Sequence, residues 1–129
     1  MDAENRKKSY RDLDIYVKAQ QLSVEIHEMT LSLPKFELYE GASQIRRSSK
    51  SITSNIVEGF GRRKYKQEFI KFLIYALSSC DETRSHLDTL HRTKSLSDIQ
   101  KYQYFCDEYD HLGRMINNFL KAVESGHKT

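Results

Sequence analysis

The stretch FIKFLIYALSSCDETRSHLDTL, Phe69 to Leu90, sets Phe69, Leu73, Ala76, Cys80, Thr83, Leu87 and Leu90 at alternating steps of four and three. That spacing keeps one face of a helix apolar and suits neighbours packed nearly parallel or antiparallel to it. Three more tracks share the pattern. The first is Ile15, Ala19, Leu22, Ile26, Met29 and Leu33, closed by Pro34, which cannot continue a helix. The second is Leu38, Ala42, Ile45, Ser49, Ile52 and Ile56, expected to stop at Gly59 or Gly61. The fourth is Phe105, Tyr109, Leu112, Ile116, Phe119 and Val123. Before it, Ser97-Asp98-Ile99-Gln100 matches a capping box, in which the Ser and Gln side chains satisfy free backbone N–H groups. The connections, at about 34–38, 59–64 and 93–97, are short enough to force reversals. An all-α, antiparallel up-down-up-down four-helix bundle follows, as one domain over residues 1–129. Its core spans about 10–123, with polar, frayed ends at 1–11 and 125–129.

Composition narrows the class. With 129 residues, one Pro, five Gly and no Trp, collagen-like, Pro/Gly-rich disordered and membrane-spanning chains are excluded. The longest apolar run, Phe72 to Leu77, is too short to cross a bilayer, which needs roughly 20 residues. In the opening MDAENRKKSY a charged stretch is not followed by an apolar one, so no secretory signal is expected and the cytoplasm is the expected location. Cys80 and Cys106 stand alone, so small buried thiols are expected rather than a disulfide framework or a zinc site.

Charge is unevenly spread. Residues 41–66 carry Arg46, Arg47, Lys50, Arg62, Arg63, Lys64 and Lys66 against the single acid Glu58, within a chain of net charge +3. These seven cations lie off the apolar track or beyond its end, so they are expected to reach solvent and to offer phosphates a sequence-independent surface. Two helices are also more apolar than one buried stripe requires. Val17, Val24 and Leu31 recur opposite the first track, and Ile70, Phe72, Ile74 and Leu77 surround the third. Contiguous exposed apolar surface of this kind marks an interface, and a second copy is the simplest partner.

Sites for chemistry are few. Gly59-Phe60-Gly61 is too short for a phosphate loop and follows no strand. Glu108 and His111 have the Glu-x-x-His spacing of di-iron bundles, but they flank the apolar track, so no metal and no cofactor is expected. His27 and His86 read as surface or packing histidines. Arg84 and His91 share one helix face at a spacing similar to that of the HEPN ribonucleases, a motif that needs its geometry before it means catalysis.

The run Gln44-Ile45-Arg46-Arg47, then Ser51 through Ser54-Asn55-Ile56-Val57-Glu58-Gly59-Phe60-Gly61-Arg62-Arg63, then Glu68 to Leu73, resembles the family of four-helix bundles encoded within intervening sequences of bacterial 23S ribosomal RNA genes. Tyr10 to Tyr16 and the Leu33-Pro34 break resemble it too. The resemblance implies a homopentamer. It also implies kinship with the accessory protein of diversity-generating retroelements, a basic ring that engages nucleic acid and a reverse transcriptase. Many relatives have Gly-Ser where this chain reads Ser78-Ser79-Cys80. Within the shared core, Asn55, Glu58, Gly59, Phe60 and Gly61 read as a structural turn motif. Either glycine could take the left-handed conformation that ends a helix, and Phe60 could cap the bundle end. A carboxylate at Glu58 opposes the negative end of the helix dipole and calls for a cation, with Arg62 and Arg63 nearest and Arg46 and Arg47 as alternatives.

The expected function is that of a non-enzymatic homo-oligomer binding RNA or DNA, or serving as an accessory protein, through the basic segment. The alternatives are an adaptor whose ring binds a protein partner and a ribonuclease using Arg84 and His91.

Overall fold

The computed structural model describes residues 9–126, so the expected fraying of 1–8 and 127–129 lies outside the described residues. Among those described, four α-helices account for the architecture: α1 (Asp14–Thr30), α2 (Gly41–Gly61), α3 (Lys66–Arg92) and α4 (Ile99–Glu124). Pairings across helices run in opposite senses. Between α2 and α3, the Thr83 hydroxyl donates to Ser48 Oγ at 2.8 Å, and the hydroxyls of Ser51 and Ser79 lie 2.9 Å apart. Between α3 and α4, Phe69 meets Phe119 edge-on at 5.7 Å, Cys80 Sγ donates to the Tyr109 carbonyl, and His91 stacks on Tyr102. Between α1 and α4, Lys18 pairs with Glu108 and the Tyr104 hydroxyl donates to Glu25. On the remaining side, Arg46 of α2 donates to Thr30 at the end of α1. Each helix therefore runs antiparallel to its neighbour.

The core follows the apolar tracks closely, because each track turns one side of its helix toward the middle of the bundle, between its two neighbours. Every member of the third track is buried, and so are the first from Ile15 to Met29 and the second from Ala42 to Ile56. Ser48, Ser49, Thr53, Ser79 and Thr83 are buried without penalty, since each hydroxyl bonds a carbonyl one turn back or a hydroxyl across the helix pair.

Several expectations at the helix ends need correction. Leu38 is not in the core but exposed, because α2 begins only at Gly41 and Lys35–Tyr39 forms a 3-10 turn. That turn is inverted: Glu37 is buried, while Phe36, Leu38 and Tyr39 face outward. The Glu37 carboxylate accepts from the Ser95 hydroxyl and, at 3.1 Å, from the Gly41 N–H, so it serves the free end of α2 as a cap would. The cap of α4 is Asp98, not Ser97; its side chain accepts from the N–H groups of Gln100 and Lys101. The chain at 9–11 does not fray: Ser9 caps a 3-10 turn, Tyr10–Asp12, and the Asp12 carboxylate bonds back to its N–H. Neither Gly59 nor Gly61 is left-handed, and α2 continues to Gly61. Gly59 sits instead where space is short. A Cβ there would lie 3.1 Å from Phe72 Cβ and 3.3 Å from the Phe69 ring, where α2 and α3 approach before their turn.

Candidate nucleic-acid interface

The turn between α2 and α3 is a tight reversal closed by its own backbone. Arg62 N–H bonds the carbonyls of Glu58 and Gly59, Arg63 N–H that of Phe60, and Tyr65 N–H that of Arg62. Phe60 is buried beneath it, and the Arg63 guanidinium lies 3.9 Å from the centre of its ring while donating to its carbonyl at 2.9 Å. Cations here also face the negative end of α2, which favours them.

Glu58 has its cation. Arg62 Nε donates to Glu58 at 2.8 Å, and the same guanidinium donates to Glu68 of α3 at 2.9 Å. Lys71 completes the chain at 3.1 Å from the other Glu68 oxygen. The hydrogen bond from Lys71, then Arg62, holds the Glu68 carboxyl below its ordinary range, and Glu58 holds the Arg62 guanidinium above its own. All four side chains are solvent-exposed to a third or more, so the network orders the surface more than it stabilises the fold. Arg62 and Lys71 both sit over the Phe72 ring, at 5.0 and 5.2 Å.

The seven basic residues of the sequence reading do not form one patch on a single chain. Arg63, Lys64 and Lys66 gather with Arg62 at the turn. Arg46, Arg47 and Lys50 lie much nearer the start of α2; fifteen residues separate Arg47 from Arg62, about 22 Å along a helix. Arg46 is also not free in solvent as expected: it is half-buried, with its guanidinium 3.1 Å from the Thr30 hydroxyl. Lys50 lines a groove between α1 and α2 with Val24 and His27, and Arg47 is exposed. Asn55 belongs to α2 rather than to the turn, since its amide donates to the carbonyl and hydroxyl of Ser51.

Three neighbours of the turn cations lie outside the charge window of the sequence reading, Glu68, Lys71 and Tyr75, and Tyr65 lies inside it but was not singled out. Glu68, Phe72 and Tyr75 recur at steps of four and three along one edge of α3, where Glu68 and Phe72 meet the end of α2, and Tyr65 precedes them as the extended residue that leads into the helix. The same periodicity that reveals the core could have found them.

The other candidates stay apart. Arg84 lies 3.6 Å from Asp110 and 3.8 Å from Asp81, while His91 stacks on Tyr102 at 4.0 Å with Nδ1 within 3.2 Å of the Leu96 carbonyl oxygen. They are seven residues apart, about 10 Å along α3, and no third group bridges them among the described contacts. Glu108 is taken by Lys18 and His111 is exposed. Among the described residues no group of three His, Cys, Asp or Glu side chains is placed to hold a metal ion, and no helix is long and apolar enough to cross a membrane. Cys80 is buried, which pushes its thiol up to about 12; Cys106 is half-buried and also raised by burial.

Comparison with known proteins agrees with this architecture. A family model described as 23S rRNA-intervening sequence protein matches residues 11–118. A solved structure, described as a protein with unknown function from the S23 ribosomal protein family of Bacteroides thetaiotaomicron, superposes with a TM-score of 0.74. It is 23% identical, over 83% of this chain and 95% of that one, which establishes likeness of fold. No curated protein matches.

Proposed function

Because the chain belongs to the 23S rRNA-intervening sequence protein family, we propose that it is a non-enzymatic homo-oligomer that binds RNA or DNA through the cations around the α2–α3 turn. One observation carries this reading. Arg63, Lys64 and Lys66 stand together at a helix end, and none of them has a carboxylate partner among the described ion pairs. Cations not neutralised by a carboxylate attract a phosphate backbone without reading its bases. Repetition around a closed ring, five copies on the family resemblance, multiplies that surface beyond what one chain offers. Self-association is supported by Val17, Val24, Leu31 and Ile74, which are between 45% and 71% exposed and would be dry in a ring. Static light scattering tests it directly, because a monomer at micromolar concentration would remove the ring. The non-catalytic reading draws on Arg84 and His91, each held by a different neighbour.

A protein-adaptor function is the second reading. It is favoured by Phe36, Leu38 and Tyr39, three exposed apolar side chains on one short turn. Salt separates the two, since phosphate binding weakens steeply with ionic strength and apolar docking does not.

The paired carboxylates supply a further test. Glu68→Gln removes the charge that Arg62 and Lys71 share, freeing Lys71 toward a phosphate while Arg62 keeps Glu58. Binding to nucleic acid is expected to tighten several-fold at low salt, with a log-log salt slope steeper by about 0.7 to 0.9 for each phosphate gained. The melting temperature should hardly move, because exposed ion pairs contribute about 0 to 1 kcal/mol. Unchanged affinity in a filter-binding titration would place Lys71 outside the interface.

A further inference from the structure

We propose that the edge of α3 carrying Tyr65 and Tyr75 stacks unpaired bases, so that the chain binds a single polynucleotide strand in preference to a duplex. This rests on the nucleic-acid reading above and names its partner more narrowly.

The observation is a set of aromatic rings interleaved with cations. Between positions 58 and 71 there are five cations and two carboxylates, so the surface around the rings is net positive. Lys64 lies 5.9 Å from the Tyr65 ring, and Arg62 and Lys71 cover the Phe72 ring. Phe72 in turn meets Tyr75 in a T-shaped pair at 5.5 Å and 86°, which leaves the Tyr75 ring partly open to solvent. Tyr65 is 62% exposed and Tyr75 47%.

These two tyrosines differ from the others on the surface of α4. There the Tyr102 hydroxyl donates to Asp88 at 2.7 Å and the Tyr104 hydroxyl to Glu25 at 2.6 Å, which ties both rings to the bundle. No hydrogen bond anchors the hydroxyl of Tyr65 or Tyr75 among the described contacts. They are rings presented by rigid backbone, one at the start of α3 and one ten residues on, about 15 Å apart along the helix. Lys66 and Lys71 lie between them in sequence. Aromatic faces spaced along a basic track are what a flexible strand uses, because its bases can turn outward and stack while its phosphates follow the cations. In a duplex the bases are already stacked on each other, so only the phosphates would be engaged.

The test compares an unstructured RNA strand of mixed sequence with the same strand annealed to its complement. Binding is measured by fluorescence anisotropy at low salt, for the parent chain, for Tyr65→Ala/Tyr75→Ala and for Tyr65→Phe/Tyr75→Phe. The parent is expected to favour the strand. The alanine pair should weaken strand binding about ten-fold per ring while leaving duplex binding unchanged, and the phenylalanine pair, which keeps the faces, should bind as the parent does. Equal affinity of the parent for strand and duplex would overturn the inference and leave the broader reading standing. So would equal loss of both in the alanine pair, or a changed mass by light scattering, which would assign the rings to contact between copies. If the parent binds neither probe, both readings fall together.

Discussion

Replacing Arg63, Lys64 and Lys66 together with alanine is expected to weaken binding to a nucleic-acid strand about a hundred-fold at roughly 0.1 M salt. The figure follows from counterion release: each strand phosphate neutralised contributes about 0.7 to the log-log salt slope, so three lost contacts cost about two decades at that concentration. Charge counting along the sequence would have put Arg62 in this set. In the structure Arg62 is already held by Glu58 and Glu68, so Arg62→Ala alone should cost much less than any of the other three. The substituted side chains are exposed or rest on the surface of the turn, so the circular dichroism spectrum should keep its helical form. Anisotropy titrations at several salt concentrations check both the loss and the shallower slope. A triple variant that binds like the parent would remove the turn from the interface.

The largest effect on stability is expected at Phe69, the residue on which the site is mounted. Its side chain is 1% exposed, forms a T-shaped pair with Phe119 and packs beneath Gly59 near the end of α2. Phe69→Ala removes the ring from a site walled by three helices, and rigid helices collapse poorly into the cavity left behind. A loss of about 3 to 5 kcal/mol is expected. Native domains hold about 5 to 15 kcal/mol in all, so the variant stands near the edge of folding. Urea denaturation followed by circular dichroism measures it through the midpoint shift. A change below about 1 kcal/mol would mean that α2 and α3 are not joined through this ring.

The bundle was legible because core membership in a helix is a periodic property, and period survives in one dimension. Leu73, Cys80 and Thr83 could be placed inside from spacing alone, including the two that are not hydrocarbons. Leu38 could not. It keeps the four-residue step to Ala42, but a 3-10 turn has about three residues per turn, and the change of pitch between the two rotates it outward. The burial of Glu37 was hidden for a related reason, since its partner Ser95 lies 58 residues away. Gly59 signalled that something special happens at the end of α2, yet a glycine serves close approach as readily as a left-handed cap, and only the position of Phe72 decides between them. In the site, the cations themselves were readable and their availability was not. Arg62 looks as free as Lys64 along the chain until α3 folds back and brings Glu68 to it. Likewise Tyr65 and Tyr75 read as ordinary aromatic residues of a helical chain until their neighbours leave the rings uncovered.

The most direct measurement is the affinity of the unaltered chain for an unstructured RNA strand, followed from low salt upward. With three cations free of any described carboxylate partner at each turn, log affinity is expected to fall linearly with log salt at a slope of about −2 or steeper, steeper still as more copies of a ring engage one strand. A flat response, or no binding at the lowest salt, would contradict a phosphate-binding surface and turn attention to a protein partner at Phe36, Leu38 and Tyr39.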